Sequence, residues 1–198
     1  MTYLEEIVRK LVHLSSAAIP LVYCFASRAF MLTALSILTG AALVIELLRA
    51  RHPGCRAFID RWLGRIIRGA EAGTMTGATF VVLGGLLTIA LFPRRIAIAA
   101  LLFLSISDAL ASLIGIKFGK TRFLGKSLAG SMAFFISAAV IVFITQPAEP
   151  WIGLAGALIA TAVEALPLKI AGRKLDDNVT IPLSAGIVMT ALTRIFAR

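Results

Sequence analysis

Residues 96–116 read IAIAALLFLSISDALASLIGI, an apolar run with one carboxylate, Asp108, inside it. A bilayer core is crossed by about 20 apolar residues in helix, so the run is a membrane span. A charged side chain at the centre of such a helix costs about 2.5–3.5 kcal/mol on insertion scales. Asp108 is therefore expected to face protein, water or an ion. Ser105, Asp108, Ser112 and Gly115 fall on one helical face by their spacing. A basic loop with Lys117, Lys120, Arg122 and Lys126 follows at once. An acid able to hold a cation, set beside lysines, is the chemistry that a nucleotide phosphate requires.

The rest of the 198-residue chain has the same character. It is 59% hydrophobic, with a mean hydropathy of +0.94. This predicts an all-α, polytopic integral membrane protein, with residues 1–198 forming a single membrane-embedded domain. Apolar segments lie near 11–26, 29–48, 74–92, 96–116, 127–145, 151–168 and 179–196, giving about seven spans. Pro20 and Pro182 interrupt the first and last, which could be broken or partly re-entrant. No cleavable signal peptide is expected, because charged residues open the chain and no A-x-A-like site follows. In the longest loop, Ile59, Trp62, Leu63, Ile66 and Ile67 recur at helical spacing opposite arginines, the pattern of a short interfacial amphipathic helix. It is expected to anchor topology rather than admit lipid. Gly84, Gly85, Gly153 and Gly156 read as helix packing sites. Cys24 and Cys55 form no CxxC or Cys/His ligand set.

The formal charge of +10 would suggest nucleic acid in a soluble protein, but here its placement matters more than its sum. Fifteen of the 20 lysines and arginines fall in the N-terminus and the loops near 49–73, 117–126 and 169–178. The positive-inside rule makes those regions and the N-terminus cytosolic, and the C-terminus opposite. The polar constellations lie on the same side, where phosphate-rich cosubstrates are found.

Several residues there could carry chemistry. Gly115, Gly119 and Lys120 lead into a loop ending in Lys126-Ser127, with Gly130 and Ser131 in the first turn of the next helix. A helix N-terminus with small residues and free amides suits phosphate. Asp108 could hold Mg²⁺ or another divalent cation, which binds through one or two carboxylates plus substrate phosphates. Residues 119–127, GKTRFLGKS, have one residue too many for a P-loop and follow a helix rather than a strand. Arg9, Lys10 and His13 precede the first span; Glu71 and Thr74 precede the third. Glu164 lies inside the sixth, where Lys169 is too close to the surface to be its obvious partner. Asp176-Asp177-Asn178 stands before the seventh, where capping competes with catalysis. Glu46 and Arg49 read as an interfacial ion pair.

In this order the motifs resemble the CTP-dependent lipid-alcohol kinase family, which includes dolichol kinase, phytol kinase and the CTP-using diacylglycerol kinase of fungi. The matching elements are Arg9-Lys10-x-x-His13, Glu71 with Thr74, and Asp108-Ala109 running through Gly115 and Gly119. Lys126-Ser127-x-x-Gly130-Ser131, Glu164 and Asp177-Asn178-x-x-Ile181-Pro182 complete them. The resemblance implies transfer of the γ-phosphoryl group of CTP to the hydroxyl of a membrane lipid. The acceptor expected is an isoprenoid such as phytol, geranylgeraniol, a polyprenol or dolichol, its tail lying between helices. Diacylglycerol is the alternative, and the chain's small size favours the phytol-kinase-sized members.

On that reading Asp108, Glu164, Asp177, Asn178 and His13 are the candidate catalytic residues, with Asp108 and Asp177 holding the metal. Lys120, Lys126, Ser127, Gly130, Ser131, Gly115, Gly119, Arg9, Lys10, Glu71 and Thr74 are candidates for binding the nucleotide. Which acid serves as general base stays open. Expected partners are CTP, a lipid alcohol and the bilayer, not nucleic acid; self-association stays open. A CTP:phosphatidate cytidylyltransferase would release pyrophosphate, and the Lys126–Ser131 element argues against it. A small ion-coupled transporter would place Asp108 and Glu164 on a crossing path, yet no inverted repeat is evident and the acids gather toward one side.

Overall fold

The computed structural model describes residues 10, 13–55, 75–146, 148–166, 168–170 and 173–196. A 3₁₀ turn at Ser15–Ala17 opens into α1 (Ala18–Phe25), followed by α2 (Arg28–Arg51) and α3 (Gly77–Leu91). Next, α4 (Arg94–Leu102) runs through a π-helical segment, Phe103–Ser107, into α5 (Asp108–Phe118). The chain ends with α6 (Leu128–Thr145), α7 (Pro150–Ala165) and α8 (Asp177–Phe196). Each apolar segment read from the sequence contains helix, and the protein is an all-α membrane fold. Four helical stretches are long and apolar enough to cross a membrane: α2, the continuous Arg94–Phe118, α6 and α8. Ser15–Phe25, α3 and α7 are shorter. The interfacial helix expected over 59–68 lies outside the described residues.

Burial sorts these helices into a centre and a coat. The Arg94–Phe118 helix has 67% of its apolar window buried, against 17% for α2. It packs on α1, α3, α6 and α8, with Ala97, Ala99, Ala100 and Phe103 fully enclosed. In α2, by contrast, Phe30, Ile37, Leu38 and Val44 are exposed, as a lipid-facing helix requires.

Neither proline breaks its helix. Pro20 sits in the first turn of α1, where a missing N–H leaves little unsatisfied. Pro182 lies inside a continuous α8. It cannot donate to the Asn178 carbonyl, and that carbonyl turns to α3. A Cβ added at Gly84 would stand 2.2 Å from it, so only glycine permits the approach. Gly153 and Gly156 likewise admit Val142 and Met189. The glycine pairs read as packing sites are packing sites.

Side chains from neighbouring helices close the helix ends. Glu46 Oε1 accepts from the Thr76 amide at 2.7 Å and the Thr79 hydroxyl at 3.1 Å, capping α3 from α2. Its other oxygen lies 3.7 Å from Arg49, the expected ion pair. On the opposite side, Arg28 donates to the Ile89 and Ala90 carbonyls at the end of α3. Arg94 donates to Tyr23 and Cys24 at the end of α1 and lies over the Tyr23 ring. These arginines satisfy the orphan carbonyls of helix C-termini.

Two small antiparallel hairpins sit among the basic loops. Strand β1 (Arg122–Phe123) pairs with β2 (Lys126–Ser127), and β3 (Lys169–Ile170) with β4 (Arg173–Lys174). The first hairpin turns through Leu124 and Gly125, with Leu124 in the left-handed region at φ 53°. A two-residue hairpin turn of matching twist demands positive φ, and Leu124 adopts it without being glycine.

Candidate active site

Asp108 is the first residue of α5, directly after the π-helical turn. Its own amide bonds to the Phe103 carbonyl, five residues back rather than four. Such single-turn bulges recur at functional sites because they re-aim side chains and carbonyls. His13 Nε2 lies 3.1 Å from the Leu104 carbonyl in this segment and 3.6 Å from Asp108 Oδ2. The same Asp108 oxygen takes the Lys10 ammonium at 2.5 Å. Both side chains of that ion pair are over nine-tenths enclosed. The desolvation of each charge is offset only because the other is there.

A second ion cluster is built from the other end of the chain. The tip of the first hairpin docks on α7, the Gly125 amide donating to the Ala165 carbonyl at 2.8 Å. This places Lys126 against Glu164, with Nζ 2.5 Å from Oε1 and 3.4 Å from Asp177 Oδ2. Lys126, outside the spans, feels opposing influences. Burial alone would lower its pKa, but the carboxylates of Glu164, Asp177 and then Asp108 outweigh it and raise the value. Asp108, from the first cluster, thus acts on Lys126 in the same direction as its two direct partners.

The remaining candidates divide by role. Ser127 caps α6, its hydroxyl accepting from the Gly130 amide at 3.2 Å. Gly115, Gly119 and Gly130 close around it: a Cβ on Gly119 would lie 2.5 Å from Ser127 Cβ, and one on Gly130 2.8 Å from the Ala111 carbonyl. These glycines let α5 and α6 meet beneath the hairpin. Asp176, not Asp177, caps α8, accepting from the Asn178 amide at 2.9 Å. Asn178 Nδ2 reaches the Gly77 carbonyl at 3.4 Å, tying α8 to α3. Ser131 is buried in the first turn of α6. Lys120 is exposed on the hairpin approach. Arg9, Glu71 and Thr74 lie outside the described residues.

Sequence reasoning did not find the Lys126–Glu164 pair, since only the nearby Lys169 was weighed. The turn residues Leu124-Gly125 carried a weak hairpin signal that would have folded Lys126 back. The π-helical turn has no counterpart in the apolar pattern.

A donor set for metal can be weighed from these side chains. Among the described residues no group of three or more His, Cys, Asp and Glu gathers as a metal site. An all-protein cage does not fit. One or two carboxylates, completed by phosphate oxygens, do fit, which is how Mg²⁺ is usually held.

Fold and site together define a polytopic membrane protein with a buried acid–lysine centre suited to phosphate chemistry. Comparison with known proteins then places it. The chain is 36% identical to an uncharacterised protein of Rickettsia prowazekii over 184 residues, 89% of each. It is 28% identical to CTP-dependent diacylglycerol kinase 1 of Schizosaccharomyces pombe, covering 93% of this chain and 92% of that one. The enzyme of the same name from Saccharomyces cerevisiae is 26% identical over 78% of this chain and 61% of its own. The chain belongs to the CTP-dependent lipid kinase family, phosphotransferases with an alcohol acceptor. No family model and no solved structure matches it.

Proposed function

We propose that this protein transfers the γ-phosphoryl group of CTP to the hydroxyl of a membrane lipid, from a site on the cytosolic side. The observation that carries this reading is Lys126, held on a hairpin between Glu164 and Asp177, in a chain that also buries the Lys10–Asp108 pair. Phosphoryl transfer needs positioning and charge neutralisation more than covalent help from protein. A centre of ammonium groups paired with carboxylates supplies both. Diacylglycerol is the acceptor named for the fungal relatives, and their likeness along most of this chain favours it here. An isoprenoid alcohol is the second reading, supported by the family resemblance and the small size.

Asp108 and Asp177 are the residues that would hold Mg²⁺, which when bound would neutralise phosphate charge. Lys10 and Lys126 now contact those carboxylates; as the nucleotide arrives, Lys10 would pass from Asp108 and Lys126 from Asp177 to phosphate oxygen, Lys126 keeping its bond to Glu164. Lys120 draws the nucleotide to the hairpin. Ser127 caps the α6 N-terminus beside it, and His13 orients the Asp108 carboxylate. The concentration of basic residues in the loops that carry this site supports its cytosolic placement. Residues 1–198 would act as one domain.

The test is label transfer by the purified chain in detergent, with γ-labelled CTP or ATP offered against dioctanoylglycerol, phytol, geranylgeraniol and a polyprenol. Label from CTP in a lipid phosphate is expected. Release of pyrophosphate with phosphatidate would indicate a cytidylyltransferase instead, and no turnover with any alcohol would overturn the kinase reading.

A further inference from the structure

Glu164 is 2% exposed in the last turn of α7. One of its oxygens, Oε1, takes Lys126; the other, Oε2, is enclosed without a hydrogen-bond partner among the described residues. Buried acceptors are nearly always satisfied, so an unspent carboxylate oxygen calls for a donor in the working protein. Ser131 Oγ, on α6, is likewise buried without a partner. Consecutive helices α6 and α7 run antiparallel, and they touch closely where a Cβ on Gly153 would lie 2.4 Å from Val142. Eleven residues along α7 from Gly153 is Glu164; eleven residues back along α6 from Val142 is Ser131. Equal rise per residue puts the two groups at one depth.

The other acids of the centre are differently placed. Asp108 is bound by Lys10 and approached by His13. The Asp177 side chain is 26% exposed. Only Glu164 joins deep burial to an enclosed free oxygen among these three.

Resting on the kinase reading above, we infer that Glu164 Oε2 receives the lipid hydroxyl and acts as its general base, with Ser131 holding that hydroxyl from α6. The hydroxyl proton passes to Oε2 as its oxygen bonds to the γ-phosphorus. The bond from that phosphorus to the β–γ bridging oxygen breaks, and CDP leaves with the electron pair. The proton returns to water after product departs. Lys126 on Oε1 fixes the carboxylate so that Oε2 faces the acceptor.

The experiment compares the full-length wild type with Glu164→Gln, Glu164→Asp and Ser131→Ala in detergent, using γ-labelled CTP with dioctanoylglycerol and with geranylgeraniol. Loss of a general base should lower kcat of Glu164→Gln by about 10²–10⁴-fold. Its CTP affinity, read by equilibrium dialysis, should stay within about twofold, and Glu164→Asp should recover part of the rate, as a carboxylate requires. Ser131→Ala should raise the alcohol KM with little change in kcat, as loss of uniform binding does. An active wild type whose Glu164→Gln variant keeps its rate overturns this inference alone. So does a Glu164→Gln variant that loses CTP binding and thermal stability in step with its rate, with no rescue by Asp. A wild type inactive with these two alcohols and also with phytol and a polyprenol overturns the kinase reading beneath it.

Discussion

Lys10 and Asp108, 98 residues apart in the chain, meet at 2.5 Å with both side chains buried. Removing one member of such a pair leaves the other charge stranded, at a cost of about 3–5 kcal/mol. Lys10→Met should therefore lower the melting temperature in detergent sharply. The double variant Lys10→Met/Asp108→Asn should be less destabilised than the sum of the single ones, since the stranded charge is gone. Equal additivity would mean that the pair is not coupled.

Asp108→Asn preserves size and can still accept a hydrogen bond, and its turnover is to be read well below its melting midpoint, which the stranded Lys10 charge lowers. Turnover should fall by about 10²–10³-fold or more, as when a group facing developing charge is lost. The variant should remain inserted and monodisperse on size exclusion. Near-normal label transfer would remove Asp108 from the centre of the site.

Lys126 has its pKa raised above the ordinary 10.5 by its carboxylate partners. A raised folded value means that stability from the ammonium is full below 10.5 and is lost as pH rises through the folded pKa. The melting-temperature deficit of Lys126→Met should accordingly be flat between about pH 7 and 10 and shrink only at higher pH. A deficit that faded near neutrality would contradict the pairing with Glu164 and Asp177.

Gly84→Ala tests the contact of α3 with the Asn178 carbonyl, where the added carbon would meet oxygen at 2.2 Å. Overpacking of this kind costs about 1–3 kcal/mol or more. The variant should lose both thermal stability and turnover, because Asn178 borders the site. Gly40→Ala, with nothing within 4 Å, should be neutral or stabilising by up to about 1 kcal/mol.

Arg94→Ala removes bonds to the Tyr23 and Cys24 carbonyls on the side away from the site. A loss of about 1–3 kcal/mol is expected, given that the donor is charged. Label transfer at low temperature should be unchanged, and a lower thermal midpoint should be the main effect.

How much of this was legible beforehand follows from range. Local patterns carried the apolar helices in order, the glycine contacts and the cap at the start of α8, because each depends on residues a few positions apart. Asp108 stood out because an acid in an apolar run has few structural explanations. The partners of Asp108 and Glu164 come from 98 and 38 residues away. No periodicity encodes such pairings; they follow from how the helices pack and from the hairpin that folds Lys126 back. Pro182 misled for a related reason. Its missing hydrogen bond suggested a break, whereas the carbonyl it frees is accommodated by a glycine on another helix.

Arg28 and Arg94 fasten α2 to α3 and α4 to α1 at the end remote from the carboxylates. The other end carries ammonium–carboxylate contacts that, on the proposed reading, phosphate would displace. The bundle is thus built like a clothes peg, sprung at one end and gripping at the other. Lipid would enter by spreading the jaws while the far end keeps its packing, so the aperture would be widest where the acceptor must arrive.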